Sequence, residues 1–175
     1  MKLSKEQIYN LFVNRKDLFS RQTETGAYIP VRREITLDDI EKHLKGEMTI
    51  GLYALDTDNK VKWACVDLDG TDLEQLKTEA MIIYNQFKDF PRCLEFSGRR
   101  GYHVWVFFKP RVTADYAQKL VKARLNRVGL GQHELFPKQT SLNDNRSYGN
   151  LVKLPLGLHR SSNNRSEIII MDNVL

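Results

Sequence analysis

Two kinds of hydrophobic spacing alternate along the chain. Ile8, Leu11 and Phe12 recur at three and four residues, and Ser4-Lys-Glu-Gln7 ahead of them has the form of a capping box. This spacing predicts a helix over about residues 4–14 with one apolar stripe. Residues 15–35 are polar and basic around the short apolar run Ala27-Tyr28-Ile29. Thr36-Leu-Asp-Asp39 opens a second short helix that stops near Gly46, with His43 read as a surface residue on it. The period then changes. Met48–Leu55 and Val61–Leu68 are strand-like, and Asp56-Thr-Asp-Asn59 between them has turn composition, so the pair reads as a hairpin.

Asp72 begins a long helical pattern through Leu73, Leu76, Ala80, Ile83, Tyr84 and Phe87. Arg92–Phe96 and Tyr102–Phe108 form a second strand pair around Ser97-Gly-Arg-Arg-Gly101. Thr113 opens another helix, with Ala117, Leu120, Val121 and Leu125 inward and Lys119, Lys122, Arg124 and Arg127 on the wet face. Short strands are expected near 133–136, 151–154 and 166–171. Strands that pair locally, in mixed order with helices, predict an α+β fold. In it helices pack on a mixed or mostly antiparallel sheet, not in a doubly wound parallel one.

Composition narrows this picture a little. At 175 residues the chain makes one large domain or two small interleaved lobes. A chain of that size buries roughly 70% of its unfolded surface and needs no staples. Its 27 Lys and Arg against 22 Asp and Glu give +5, which suits a polyanionic partner without requiring one. Cys65 and Cys93 sit inside apolar runs and read as reduced core thiols. The histidines at 43, 103, 133 and 159 share no helical ligand spacing, so a His-based metal site is not suggested. No apolar run approaches the length of a membrane span and the N-terminus has no apolar leader, so a cytoplasmic protein without a membrane partner is expected. The stop soon after an apolar run leaves open that the chain belongs to a longer protein.

Two segments carry candidate chemistry. Trp63-Ala-Cys-Val-Asp67-Leu-Asp69-Gly70 is an apolar strand ending in two carboxylates one residue apart. Side chains alternate along a strand, so Asp67 and Asp69 project from the same face. Such neighbours repel unless a cation lies between them, and Mg²⁺ or Mn²⁺ prefers such oxygen ligands, with a substrate phosphate completing the shell. Asp67 is flanked by Val66 and Leu68, where an unpaired carboxylate is costly. The competing reading is a strand that simply runs into a polar turn. The second segment is Phe96-Ser97-Gly98-Arg99-Arg100-Gly101-Tyr102-His103-Val104-Trp105. Its glycines let the backbone approach a ligand, its arginines can grip phosphate oxygens, and Ser97 and His103 each add a donor. It is the composition of a triphosphate cradle, although no Gly-Lys-Ser/Thr follows as in a Walker loop. The competing reading is a basic hairpin turn.

These motifs resemble, in order, those of the archaeo-eukaryotic primase superfamily, which includes replicative primase small subunits and primase-polymerases. Asp67-Leu68-Asp69 matches its first motif, and Ser97-Gly-Arg-Arg-Gly-Tyr-His103-Val-Trp105 matches the extended form of its Ser-x-His motif. Gly149-Asn-Leu-Val-Lys153-Leu-Pro-Leu-Gly-Leu-His159 is similar to its nucleotide-binding segment. The resemblance covers residues 48–160 and is greatest to the compact primase-polymerases of CRISPR-associated and mobile-element defence systems. It implies one catalytic domain over 1–175, with an N-terminal αβ part over 1–47 and an RRM-like core over 48–175.

The resemblance also implies a mechanism and its residues. Asp67, Asp69 and a third acid would hold two Mg²⁺ or Mn²⁺ ions for nucleotidyl transfer. Ser97, Arg99, Arg100, His103, Asn150, Lys153 and His159 would bind the nucleotide. Glu134 is the preferred third acid because His133-Glu134-Leu135-Phe136 can be a strand, although the family has an aliphatic residue where His133 stands. Asp144 lies in a turn-rich stretch, and Asp172 follows the Lys/His segment. A surface acid on an edge strand is the competing reading of Glu134. The implied partners are a single-stranded DNA template with primer, nucleoside triphosphates, and an accessory domain or defence-system proteins. Two rivals stay open: a metal-dependent nuclease, and a non-catalytic nucleic-acid-binding module.

Overall fold

A computed structural model describes residues 3–143 and 148–174. Helix α1 (Lys5–Phe12) starts on the expected capping box, with the Ser4 side chain accepting from the Gln7 amide. Strands β1 (Phe19–Gln22) and β2 (Tyr28–Val31) form an antiparallel hairpin inside the stretch that reads as polar in sequence. Helix α2 (Leu37–Lys45) is capped by Thr36 and Asp39, and Gly46 ends it with a left-handed backbone. The Arg33 guanidinium forks onto the Asp39 carboxylate at 2.7 Å through both nitrogens.

Strands β3 (Ile50–Tyr53) and β4 (Lys60–Asp69) correct the sequence reading. They do not pair with each other. β3 lies between β1 and β8 (Leu151–Lys153) in a four-stranded sheet of order β2-β1-β3-β8. β4 belongs to a second sheet. The turn between them is real, since Asp56 Oδ1 accepts the Asp58 and Lys60 amides at 2.9 and 2.8 Å. That turn hands the chain from one sheet to the other. Turn composition fixes a reversal, not the partner of the strand that follows.

The second sheet has five strands in the order β11-β5-β6-β4-β7. They are β5 (Arg92–Phe96), β6 (Gly101–Thr113), β7 (Glu134–Phe136) and β11 (Glu167–Asp172) around the long β4, and all neighbours run antiparallel. Helices α3 (Leu73–Asn85) and α4 (Ala114–Arg127) pack on one face. On that face the Arg92 guanidinium sits 4.5 Å over the Tyr84 ring. The other face receives α1: Phe12 meets Trp105 and Phe107 edge to face, with centroids 5.1 and 5.4 Å apart. The Trp63 indole donates to the Phe12 carbonyl at 2.7 Å. Trp63, Trp105 and Phe107 are therefore core residues. Cys65 and Cys93 are buried free thiols on the strands either side of Trp105. A short ladder of β9 (Leu158–His159) with β10 (Asn164–Arg165) completes the strands.

Two polar residues depart from their sequence reading. His43 is fully buried: its Nδ1 accepts the Ile50 amide and its Nε2 contacts the Pro155 carbonyl, both at 3.0 Å. The backbone at Gly157 covers it so closely that a Cβ there would lie 1.9 Å from Cε1. His43 stands three residues after Ile40, on the inward stripe of α2, and distant chain roofs it. Arg124 does not point to water but lies over Phe87 and Phe90, with its guanidinium paired to Asp89. Among the described residues no helix is long and apolar enough to cross a membrane.

Candidate active site

The strand registers place four polar residues in one line across the large sheet. Glu134 on β7 is opposite Asp67 on β4, Asp67 is opposite His103 on β6, and His103 is opposite Glu95 on β5. Directly paired residues share a face, so all four side chains emerge on the side away from α3 and α4. Phe12 of α1 packs on the aromatic row beneath them, in which Cys65 and Cys93 are buried. The carboxylate row lies beyond that cover.

Asp69 follows two residues after Asp67 on the same face, opposite Gly101. The close approach of β4 and β6 there requires glycine, because a Cβ on Gly101 would lie 2.0 Å from the Leu68 carbonyl oxygen. Gly98 turns the loop with φ +90° against the Ser166 amide. Between them Arg99 and Arg100 are exposed at the tip. Arg100 folds back onto Asp69, with Nε 3.0 Å from both carboxylate oxygens and Nη2 2.8 Å from Oδ2. Glu134 is exposed at the sheet edge and pairs with Lys138.

Behind the row lies a buried charge cluster. Glu95 is fully buried. Its Oε2 is 2.9 Å from His103 Nδ1 and accepts the Trp105 indole N–H at 2.9 Å. Its Oε1 is 3.6 Å from Lys153 Nζ. Lys153, on β8 of the small sheet, donates to the Ser166 hydroxyl at 2.8 Å. The far nitrogen of His103, Nε2, faces Asp67 Oδ1 at 3.6 Å.

The electrostatics follow from this placement. Burial alone would push the Glu95 carboxyl up, but His103 and Lys153 overcome it and hold the group ionised, at about 2. Burial disfavours a charged His103, yet Glu95 and then Asp67 raise its pKa on balance. Lys153 is lowered by burial and partly restored by Glu95. Asp67 is raised, first by burial and then by Asp69, Glu134 and Glu95, against the pull of His103. His159, half-buried with Nδ1 3.1 Å from the Ser161 hydroxyl, is lowered by burial and by the nearby charges of Lys153 and Arg99.

The sequence candidates divide accordingly. Asp67, Asp69, Glu134 and His103 share one face of the large sheet, and Lys153 approaches that face from the small sheet beside Glu95. Ser97, Arg99 and Arg100 occupy the loop above it, where the Ser97 amide donates to the Gly101 carbonyl at 3.0 Å. Asn150 is exposed just ahead of β8. Asp172 is elsewhere: it pairs with Arg92 at 2.8 Å, on the helix-covered side of the sheet. Asp144 lies outside the described residues. Glu95 and Ser166 were not singled out from sequence. The available signal was an acid inside the apolar run Cys-Leu-Glu-Phe at even spacing from the Ser97 loop.

The donors suit a hard divalent cation, since Asp67, Asp69 and Glu134 offer carboxylate oxygens on one face and repel one another there. Among the described residues, however, no three acidic, imidazole or thiol groups are drawn together closely enough to hold an ion. Asp69 and Glu134 are turned toward Arg100 and Lys138. The side chains fit such an ion in kind and in face, and two of them must rotate to take it.

Comparison with known proteins adds a family and a fold. The model of the family described as "TOTE conflict system, Archaeo-Eukaryotic Primase domain" matches residues 5–173. No curated protein matches the chain. Among solved structures, the polymerase domain from Mycobacterium tuberculosis ligase D, in complex with DNA, is similar with a TM-score of 0.50 and 12% sequence identity. The match covers 94% of this chain and 72% of that one. At that identity the likeness is one of fold.

Proposed function

The chain belongs to the archaeo-eukaryotic primase domain family of TOTE conflict systems, and from that premise we propose that it is a DNA-dependent primase-polymerase. Membership supports a nucleotidyltransferase. The finer reading is that it starts and extends a chain on a single-stranded template, with residues 1–175 acting as one catalytic domain. The observation that carries it is the strand register that sets Glu134, Asp67 and His103 side by side, with Lys153 reaching the same place from the other sheet.

Asp67, Asp69 and Glu134 would hold two Mg²⁺ or Mn²⁺ ions, which supply a lowered pKa for the attacking 3′-hydroxyl and neutralise charge on the departing pyrophosphate. Arg100 and Lys138 exchange their carboxylate partners for phosphate oxygens as the acids turn inward. His103, fixed at Nδ1 by Glu95, would present Nε2 to the triphosphate, and Lys153 would supply a fixed cation. Ser97, Arg99, Asn150 and His159 complete the cradle around sugar and phosphates. A preorganised cradle of this kind lowers the barrier by orienting the phosphate in line with the attacking oxygen. The excess of basic residues would take the backbones of template and primer.

The test uses a single-stranded template, nucleoside triphosphates and Mn²⁺. Labelled products of increasing length are expected. Asp67→Asn and Asp69→Asn each reduce the rate by about a thousandfold or more while the melting temperature holds, as for groups that act only in the transition state. Shortening of the template without synthesis would instead identify a nuclease. Metal-independent binding indifferent to Asp67 would identify a binding module.

A further inference from the structure

Glu95 is the most deeply buried charge in the site, and nothing in the proposed chemistry uses it directly. It lies one strand beyond His103 in the same row, and its own carboxylate meets only protein. One oxygen collects two hydrogen bonds, from the His103 ring and the Trp105 indole. The other, Oε1, has no hydrogen-bond partner among the described residues and faces Lys153 Nζ at 3.6 Å. Lys153 is itself buried and reaches over from the small sheet, where β8 carries it opposite Gly51. Ser166, also buried, takes one Lys153 proton and is fixed in turn by accepting the Leu156 amide at 2.9 Å.

We infer that Glu95 is a positioning residue: a buried counter-charge that holds His103 and Lys153, from two different sheets, as one preorganised pair of phosphate donors. This deepens the proposed function and rests on its reading of His103 and Lys153 as nucleotide-binding groups.

The physical reasoning is a matter of charge balance in a dry place. A buried ammonium does not stay charged in low dielectric without a counter-ion, and an imidazole that offers one nitrogen to a ligand needs an acceptor that fixes the other. Glu95 supplies that counter-ion from behind, leaving His103 Nε2 turned to the Asp67 side, while Lys153 has a long 3.3 Å contact to the Leu154 carbonyl that it can exchange for an arriving phosphate oxygen. The Trp105 indole fixes the carboxylate, and the Ser166 hydroxyl fixes the ammonium. The fork therefore sets both the charge and the spacing of the pair before any ligand is present. It also offers a reason for the two sheets to dock in one arrangement at the cleft. A simple electrostatic view predicts the opposite effect: Glu95 is a negative charge beside an anion site, and neutralising it should tighten phosphate binding.

The experiment separates these views with inorganic tripolyphosphate and with a nucleoside triphosphate in Mg²⁺, titrated calorimetrically against the whole chain. Glu95→Gln keeps the shape and one acceptor oxygen for the His103 and Trp105 protons, and puts an uncharged amide NH2 opposite Lys153 in place of Oε1. We expect both ligands to bind about tenfold more weakly, by analogy with breaking one arm of a buried ion network. Glu95→Asp, which keeps the charge, should recover most of that loss. In primer extension Glu95→Gln should raise KM for the nucleotide more than it lowers kcat, because the residue acts on binding geometry and touches no reacting atom. The proton on His103 Nδ1 should give a far-downfield NMR signal in the free wild type that is lost in Glu95→Gln. A purely structural residue would not produce this set.

If Glu95→Gln proves unfolded, Ser166→Ala frees Lys153 without changing charge and should weaken tripolyphosphate binding about threefold, the loss of one hydrogen bond. Unchanged or tighter binding in the folded variant overturns the inference. So does a wild type that binds neither ligand. The two readings fail separately. A wild type that extends primers while Glu95→Gln binds normally removes only Glu95. A wild type that binds tripolyphosphate in a Glu95-dependent way yet makes no product removes only the polymerase assignment.

Discussion

Two buried histidines illustrate how neighbours a few ångströms away decide a side chain's charge. His103 has carboxylates at both nitrogens, and they raise its pKa against the effect of burial. His43 has a backbone amide on one nitrogen and a carbonyl at the other, and burial holds its pKa down at about 3. Its folded pKa lies below the ordinary 6.5, so between those values the unfolded state binds the extra proton. The stability it contributes is complete above about 6.5 and is lost as pH falls toward 3, at up to ~1.4 kcal/mol per pH unit. Urea midpoints at pH 7.5, 6 and 5 should therefore fall more steeply for the wild type than for His43→Gln, and parallel slopes would exclude His43 as the cause. A second residue-scale expectation concerns Gly101. Gly101→Ala forces a Cβ onto the Leu68 carbonyl, so strands β4 and β6 must part at the Asp69 end. Faster amide exchange at Leu68 and Tyr102, with loss of extension activity, should report it. At this scale the placement of the motif residues was legible: Asp67 and Asp69 share a strand face and Ser97 and His103 bracket one turn, as their fixed spacing predicts. Glu95 was not, because a single acid in an apolar run has no partner until a distant lysine arrives. His43 was misread for the same reason, since its roof comes from residues more than a hundred positions later.

Among the elements, α1 and β7 each do one thing that their sequence only half announces. The capping box and stripe of α1 predicted its start and inward face, but not that Phe12 would wedge against Trp105 and Phe107 of the large sheet. Phe12→Ala should cost about 3–5 kcal/mol, the usual range for deleting a buried aromatic ring, read from chemical denaturation. β7 is three residues long and carries no strong period, yet it places Glu134 opposite Asp67. Its anchor is His133, whose ring lies 2.8 Å from Glu79 on α3. The residue that broke the expected aliphatic pattern thus ties the strand down. The failed hairpin between β3 and β4 belongs to this scale too. Both strands and the turn were readable, but their partners were β8 and β6, and pairing across sheets is a property of the whole chain.

For the molecule as a whole, mixed strand order and local pairing were enough to give an α+β architecture with antiparallel sheets. They were not enough to divide the strands between two sheets, which requires knowing that β8 returns to the N-terminal part while β11 closes the other edge. The net charge of +5 can be tested through its effect on nucleic-acid binding. If single-stranded DNA binds through Lys and Arg contacts to phosphate, log affinity should fall linearly with log salt, with a slope near −0.7 per contact. Fluorescence anisotropy from 50 to 200 mM salt, as on the order of a fourfold range, should show that dependence. Asp67→Asn should leave the slope unchanged, because Asp67 is proposed to bind metal and not DNA.

The row beneath the carboxylates has a practical consequence. Cys65 and Cys93 flank Trp105 directly under Asp67 and Glu95, both sealed from water and both with thiols pushed well above their ordinary pKa by burial. A thiol reagent cannot reach them while the sheet is closed. Labelling should be negligible in the native state and should proceed only as fast as the core opens, so mass spectrometry of a timed alkylation becomes a clock for breathing beneath the site. The same sealing would let the proposed extension activity be assayed without reductant, and a ligand that binds the native fold should slow the clock by the factor its affinity dictates.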